Sequence, residues 1–145
     1  MLFRSMGFGV PAAVAAALRE PGRTVICVVG DGSFLMSASE LAVASEHRLP
    51  LKVIVSENCA YGSIRVNQER RYPGRTVGTG FWNPDLELIG RAFGFNVTRI
   101  ERAEDLNALP RILTSSDPEF VVVNTSIKSI IPAAVQPKPT GSAIE

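Results

Sequence analysis

Apolar positions along the chain follow two alternating rhythms. "TVICVV", "LKVIV" and "FVVVNT" are unbroken β-branched runs of strand length, the kind buried on both faces of a parallel sheet, and "NVTRI" is a weaker fourth. Between them lie stretches of helical period. "PAAVAAALRE" is alanine-rich with a proline suited to a first helical turn, which predicts a helix over Pro11 to Arg19. "SASELAVASEH" opens on Ser37 with Glu40 three residues on, a capping-box pattern. "NPDLELIGRAFG" reads as a helix opened by Asn83 and Pro84 and closed by Gly94; "AEDLNALPRILTSS" is helical with a disturbance at Pro110. Two strands joined through one helix, from Thr24 to Val55, make a βαβ crossover with parallel strands. The expected fold is α/β: a three-layer, doubly wound domain with a mostly parallel sheet and helices on both faces. Residues 1–131 form the domain, and 132–145, with three prolines and no period, form an extended tail.

Composition changes this picture mainly by exclusion. A chain of 145 residues, 46% hydrophobic and 20% charged, holds one domain with a real core. A net charge of +1 offers no basic surface for nucleic acid. The first residues, broken by Gly7, Gly9 and Pro11, form neither a signal peptide nor a membrane span. Cys27 and Cys59, without CxxC spacing, read as reduced thiols of a cytoplasmic protein, with Cys59 a small packed residue.

The chemistry concentrates where the first two strands end. One ends in "GDGS", the other in "SENCAYGS", and the segment between them is long enough for one crossover helix and one strand. Asp31 and Asn58 then share one edge of the sheet, where ligands of such folds gather. A carboxylate, an amide oxygen and a backbone carbonyl make half of an octahedral magnesium shell, which a diphosphate and water can complete. Gly30 and Gly32 let backbone amides approach phosphate oxygens, and Ser33 adds a hydroxyl near the start of the following helix. "GFGVPA" formally matches a dinucleotide fingerprint but lacks the strand that must precede it, and no P-loop occurs. His47, at a helix end, suits the helix dipole rather than catalysis.

The motifs "SMGFGVPAAVAAAL" and "VVGDGSFLMSASELAVASEHRLPLKVIVSENCAYGSIR" resemble the diphosphate-binding domain of thiamine diphosphate enzymes. The branch in question contains acetolactate synthase and other 2-oxo acid decarboxylases and carboligases. The resemblance implies that Asp31, the Asn58 side chain and the main-chain oxygen of Ala60 bind Mg2+. It also implies that Gly30, Gly32, Ser33 and the Tyr61, Gly62 and Ser63 turn hold the diphosphate, and that Met6 supports the bent cofactor beneath its thiazolium. Arg65, Asn67 and Gln68, in a segment whose other reading is a solvated charged helix, would face substrate.

The departures from the family pattern shape the expected function. Glu57 stands where the family has the first asparagine of its pair and adds a negative charge near the site. Asn67 takes the place of a tryptophan that helps acetolactate synthases select their acceptor. Arg4 stands where the family favours glycine, in a stretch that reads as an N-terminal truncation. The glutamate that activates the cofactor belongs to a separate pyrimidine-binding domain of the same or a neighbouring subunit, so no catalytic residue is expected in this chain. The resemblance thus implies part of a homodimeric or homotetrameric enzyme acting on a small 2-oxo acid by carboligation; alternatives are simple decarboxylation or a non-catalytic cofactor-binding module.

Overall fold

The computed structural model describes residues 5–130; the 132–145 tail and Arg4 lie outside them. The four apolar runs form β1 (Val25–Gly30), β2 (Leu51–Glu57), β3 (Asn96–Ile100) and β4 (Glu119–Asn124). They make one sheet in the order β1-β2-β4-β3 with every neighbouring pair parallel. Helix α1 (Gly9–Arg19) leads into β1, and α2 (Asp31–Leu35) and α3 (Leu41–Glu46) carry the chain from β1 to β2. Helices α4 (Gly62–Arg71) and α5 (Leu86–Ala92) lead to β3, and α6 (Leu109–Thr114) returns the chain to β4.

Strand periodicity sorts the core into two layers. Cys27, Val29, Leu51, Val53, Val55, Phe120 and Val122 face α1, α3 and α5 in the larger cluster. The intervening Val121, with Ile100, packs under Ile112 of α6 on the opposite face. Helices therefore flank both faces, as the sequence pattern predicts. Phe34 meets Phe120 edge-on at 5.2 Å between ring centroids, a geometry worth about 1 kcal/mol beyond the buried area. Gly90 lets α5 lie directly on that ring, because a Cβ there would come within 2.8 Å of Phe120 Cδ1.

At the amino end of the sheet, Lys52 is in register with Glu119 and both are buried. The Lys52 ammonium donates to the Asp117 carbonyl, while Arg111 approaches Glu119 at 3.6 Å. Burial pulls the Lys52 pKa below the ordinary lysine value, with Glu119 and Asp117 acting against it. At one lateral limit of the sheet, β1 has β2 as its sole strand neighbour among the described residues. Its Ile26 and Val28 are 48% and 72% exposed.

Three local expectations are corrected. The helix expected from Ser37 divides into a 3-10 turn at Ala38–Glu40 and the short α3, and the Ser37 side chain makes no capping bond. The chain is already helical from Asp31, so Ser37 follows a helix instead of starting one. Asp85, not Asn83, caps α5, accepting from the Leu88 amide at 2.9 Å. Pro110 sits in the first turn of α6, where its missing N–H costs nothing, after a 3-10 stretch at Ala103–Ala108.

Candidate diphosphate and cation site

Parallel register places Gly30 beside Ser56, so the turns leaving β1 and β2 emerge level with each other. Met6, the Gly30–Ser33 turn, Asn58 and the Ala60–Ser63 segment all line a single cleft of about 360 Å3 at this carboxyl edge. Every residue that the sequence assigned to the diphosphate or the cation is among them. The Gly7 amide donates to Ser33 Oγ at 2.8 Å, tying the segment that carries Met6 to the turn after β1.

Asp31 is 1% exposed. Its Oδ2 accepts from the amides of Asn58 (2.9 Å) and Cys59 (2.7 Å) and from Asn83 Nδ2 (2.8 Å), while Oδ1 accepts from the Gly32 amide at 2.8 Å. Among the described residues no lysine or arginine nitrogen forms an ion pair with it. A carboxylate this buried, dressed with dipoles but lacking a counter-charge, is an unfinished arrangement. The neighbouring oxygens fit a hard cation. Asn58 Oδ1 accepts from the Ala60 amide (3.0 Å) and Ala60 O from the Gly62 amide (2.9 Å), and each carbonyl oxygen keeps a second lone pair. Among the described residues no group of three or more His, Cys, Asp or Glu is arranged to hold a metal ion by itself. A cation here would therefore depend on oxygens brought by its ligand.

The glycines of the first turn have distinct reasons. A Cβ on Gly32 would meet Tyr61 Cε1 at 2.6 Å, so any other residue would push the Tyr61 ring away from the first turn. A Cβ on Gly30 would meet nothing within 4 Å, and its backbone angles suit any residue. Gly30 lines the cleft, so a ligand entering there would meet open backbone. Tyr61 and Gly62, with Ser63, open α4; the Tyr61 and Gly62 amides donate to Thr79 O and Ala60 O, so at this helix start it is the Ser63 and Ile64 amides that lack an intrahelical acceptor and suit phosphate oxygens.

Comparison with known proteins agrees with this geometry. Residues 1–125 match the family model described as thiamine pyrophosphate enzyme, C-terminal TPP binding domain. The chain belongs to this family. Its acetolactate synthase branch is well represented: the chain is 35% identical over 119 residues to acetolactate synthase isozyme 2 large subunit of Escherichia coli, covering 81% of this chain and 22% of that protein. It is 36% identical over 123 residues to acetolactate synthase 2, chloroplastic, of Zea mays, covering 79% and 19%. A Rhodococcus jostii thiamine diphosphate-dependent 4-hydroxybenzoylformate decarboxylase superposes with a TM-score of 0.76 at 32% identity, over 83% of this chain and 23% of that one. The chain thus spans only 19–23% of the length of these relatives.

Within this TPP-binding domain several contacts lie beyond what the sequence reading found. The Thr79–Phe81 segment returns to the second turn: Tyr61 N donates to Thr79 O (2.8 Å) and Phe81 N to Cys59 O (3.0 Å). Asn83, expected at a helix start, is buried with its amide nitrogen on Asp31. The Glu57 charge expected near the site has a partner that the sequence did not announce: Arg99 Nη1 pairs with Glu57 Oε2 at 2.8 Å, and Arg99 Nε with Glu87 Oε1 at 2.6 Å. Those two carboxylates raise the Arg99 pKa further. Cys59 is exposed rather than packed, with a left-handed φ of 55°. Cys27 is the packed thiol, its pKa raised by burial.

The substrate-facing candidates are placed differently from the cofactor set. Arg65, Asn67 and Gln68 lie on α4 outside the cleft lining. The Gln68 side chain is committed to the Val77 backbone, donating to its oxygen (3.1 Å) and accepting from its amide (2.9 Å). It thereby fastens the loop after α4.

Proposed function

We propose that this chain is the diphosphate- and Mg2+-binding part of a larger thiamine diphosphate enzyme that joins or decarboxylates 2-oxo acids, with acetolactate synthase-like carboligation as its reaction. The observation that carries the reading is the buried Asp31 carboxylate, unpaired by any cation of the described residues, in a cleft lined also by Asn58 and Ala60. In this reading Asp31, Asn58 Oδ1 and Ala60 O hold Mg2+. Gly30, Gly32, Ser33 and the first turn of α4 hold the diphosphate, and Met6 supports the thiazolium. When bound, the thiazolium supplies a nucleophilic carbon and an electron sink for decarboxylation. The chain's own residues bind, bend and orient it. The activating glutamate lies in a pyrimidine-binding domain of the same or a partner subunit, within a cytoplasmic homodimer or homotetramer. Met6 and Val28, 41% and 72% exposed although they line the cleft, support a partner that covers it. No described helix is long and apolar enough to cross a membrane.

Asn67 in place of the acceptor-selecting tryptophan favours simple decarboxylation as the second reading. The pairing of Glu57 with Arg99 removes one argument for a non-catalytic module. The test uses the full-length protein with pyruvate, thiamine diphosphate and Mg2+, followed by product analysis. Acetolactate supports the first reading, and acetaldehyde alone replaces it with the second. Cofactor uptake without turnover of pyruvate or other 2-oxo acids would leave a binding module.

A further inference from the structure

The Asn83 side chain stands between two carboxylates. Its amide nitrogen lies 2.8 Å from Asp31 Oδ2, 3.4 Å from Glu57 Oε1 and 3.5 Å from Cys59 Sγ. All three can accept a hydrogen bond and none of the oxygens can donate while ionised, so the amide is oriented with its nitrogen toward them. Its own Oδ1 is buried without a hydrogen-bond partner. An amide that leaves one end unsatisfied in order to aim the other at a carboxylate is held there by that carboxylate. Asp31 gains from it the one contact on Oδ2 that does not come from the Asn58–Cys59 backbone. Glu57 competes for the same amide, and Arg99 decides the competition by drawing the other Glu57 oxygen to 2.8 Å and linking it to Glu87.

We propose that Asn83 is a positioning residue that sets the Asp31 carboxylate for its cation, and that Arg99, by holding Glu57, keeps the Asn83 amide on Asp31. The proposal rests on the cation-binding reading above. Groups that orient a metal-binding carboxylate typically change metal affinity 10- to 100-fold when removed. Charge alone and positioning give opposite signs for one variant. Arg99→Met leaves Glu57 unneutralised near the site. If charge governed, the cation would bind more tightly; if position governs, Glu57 takes the amide and the cation binds more weakly.

The experiment measures Mn2+ affinity by electron paramagnetic resonance in the full-length protein with thiamine diphosphate present. Asn83→Leu is expected to weaken Mn2+ by roughly 10- to 100-fold. Arg99→Met is expected to weaken it as well, and the double variant Glu57→Gln with Arg99→Met to recover to within about threefold of wild type, since a neutral side chain competes less for the amide. A purely structural role for Arg99 predicts no recovery. Should Asn83→Leu fail to fold, the Arg99 pair decides alone. Wild-type binding together with unchanged affinity in Asn83→Leu, or tighter binding in Arg99→Met, overturns the positioning role and leaves the cofactor reading standing. A wild type that takes up neither Mn2+ nor cofactor overturns both.

Discussion

Gly30 separates the needs of the fold from those of the ligand. Its φ of −77° and ψ of 152° suit any residue, and an added Cβ would touch nothing within 4 Å. Replacement by alanine at such a position stabilises a protein by about 0.4–1 kcal/mol, through the smaller freedom of the unfolded chain. The same methyl enters the cleft where the diphosphate is proposed to lie. Overpacking there costs about 2 kcal/mol, which is roughly a 30-fold loss of affinity. At a cofactor concentration 100 times the wild-type Kd, the ligand stabilises wild type by about 2.7 kcal/mol and Gly30→Ala by only about 0.9 kcal/mol. Unfolding of the full-length protein with and without thiamine diphosphate and Mg2+ measures both numbers, and titration calorimetry gives the affinity directly. A variant that binds the cofactor as tightly as wild type refutes the placement of the diphosphate. One whose ligand-free form is destabilised by more than about 1 kcal/mol refutes the claim of free space.

Asp31→Ala should abolish stabilisation by cofactor and Mg2+ altogether, as read by the same unfolding experiment; a persisting shift would falsify the cation assignment. Glu87, whose pKa is lowered by its bond to Arg99, contributes stability that is complete above its ordinary value of 4.5 and is lost as pH falls through its lower folded value. The stability gap between wild type and Glu87→Gln should accordingly close on acidification below that range, and a gap that persists at the acid end counts against the ion pair. Gln68→Ala removes both side-chain bonds to Val77 and should speed amide hydrogen exchange across the loop after α4. Lys52→Met removes the ammonium bond to the Asp117 carbonyl and the positive charge near buried Glu119, and should destabilise by about 1–3 kcal/mol; adding Glu119→Leu should restore part of the loss. No restoration would mean that the two charges act independently.

The parallel sheet was legible because its strands are continuous β-branched runs, a signal carried by neighbours in sequence. The Asp31 and Asn58 pairing was legible because one crossover connects two glycine-bearing strand ends, so topology does the work of distance. Asn83 was misread for a physical reason: Asn-Pro-Asp carries the same local chemistry whether its first residue caps a helix or reaches across the fold. Here Asp85 does the capping and frees Asn83 for Asp31. The Arg99 pairing with Glu57 spans two strands separated by β4, and no periodicity announces such a bond. The break of the expected helix at Ser37 follows from helical structure already begun at Asp31, which the glycines of that turn disguise.

The lateral strand β1 carries a consequence for handling the molecule. Its outer rim of peptide groups meets no second ladder among the described residues, and Ile26 and Val28 add a greasy flank beside it. Such a rim templates pairing with whatever chain arrives first. Produced in isolation, this stretch of polypeptide will tend to clump through that rim, and a charged replacement at Ile26, which lies outside the cleft lining, is the first remedy for keeping it dispersed.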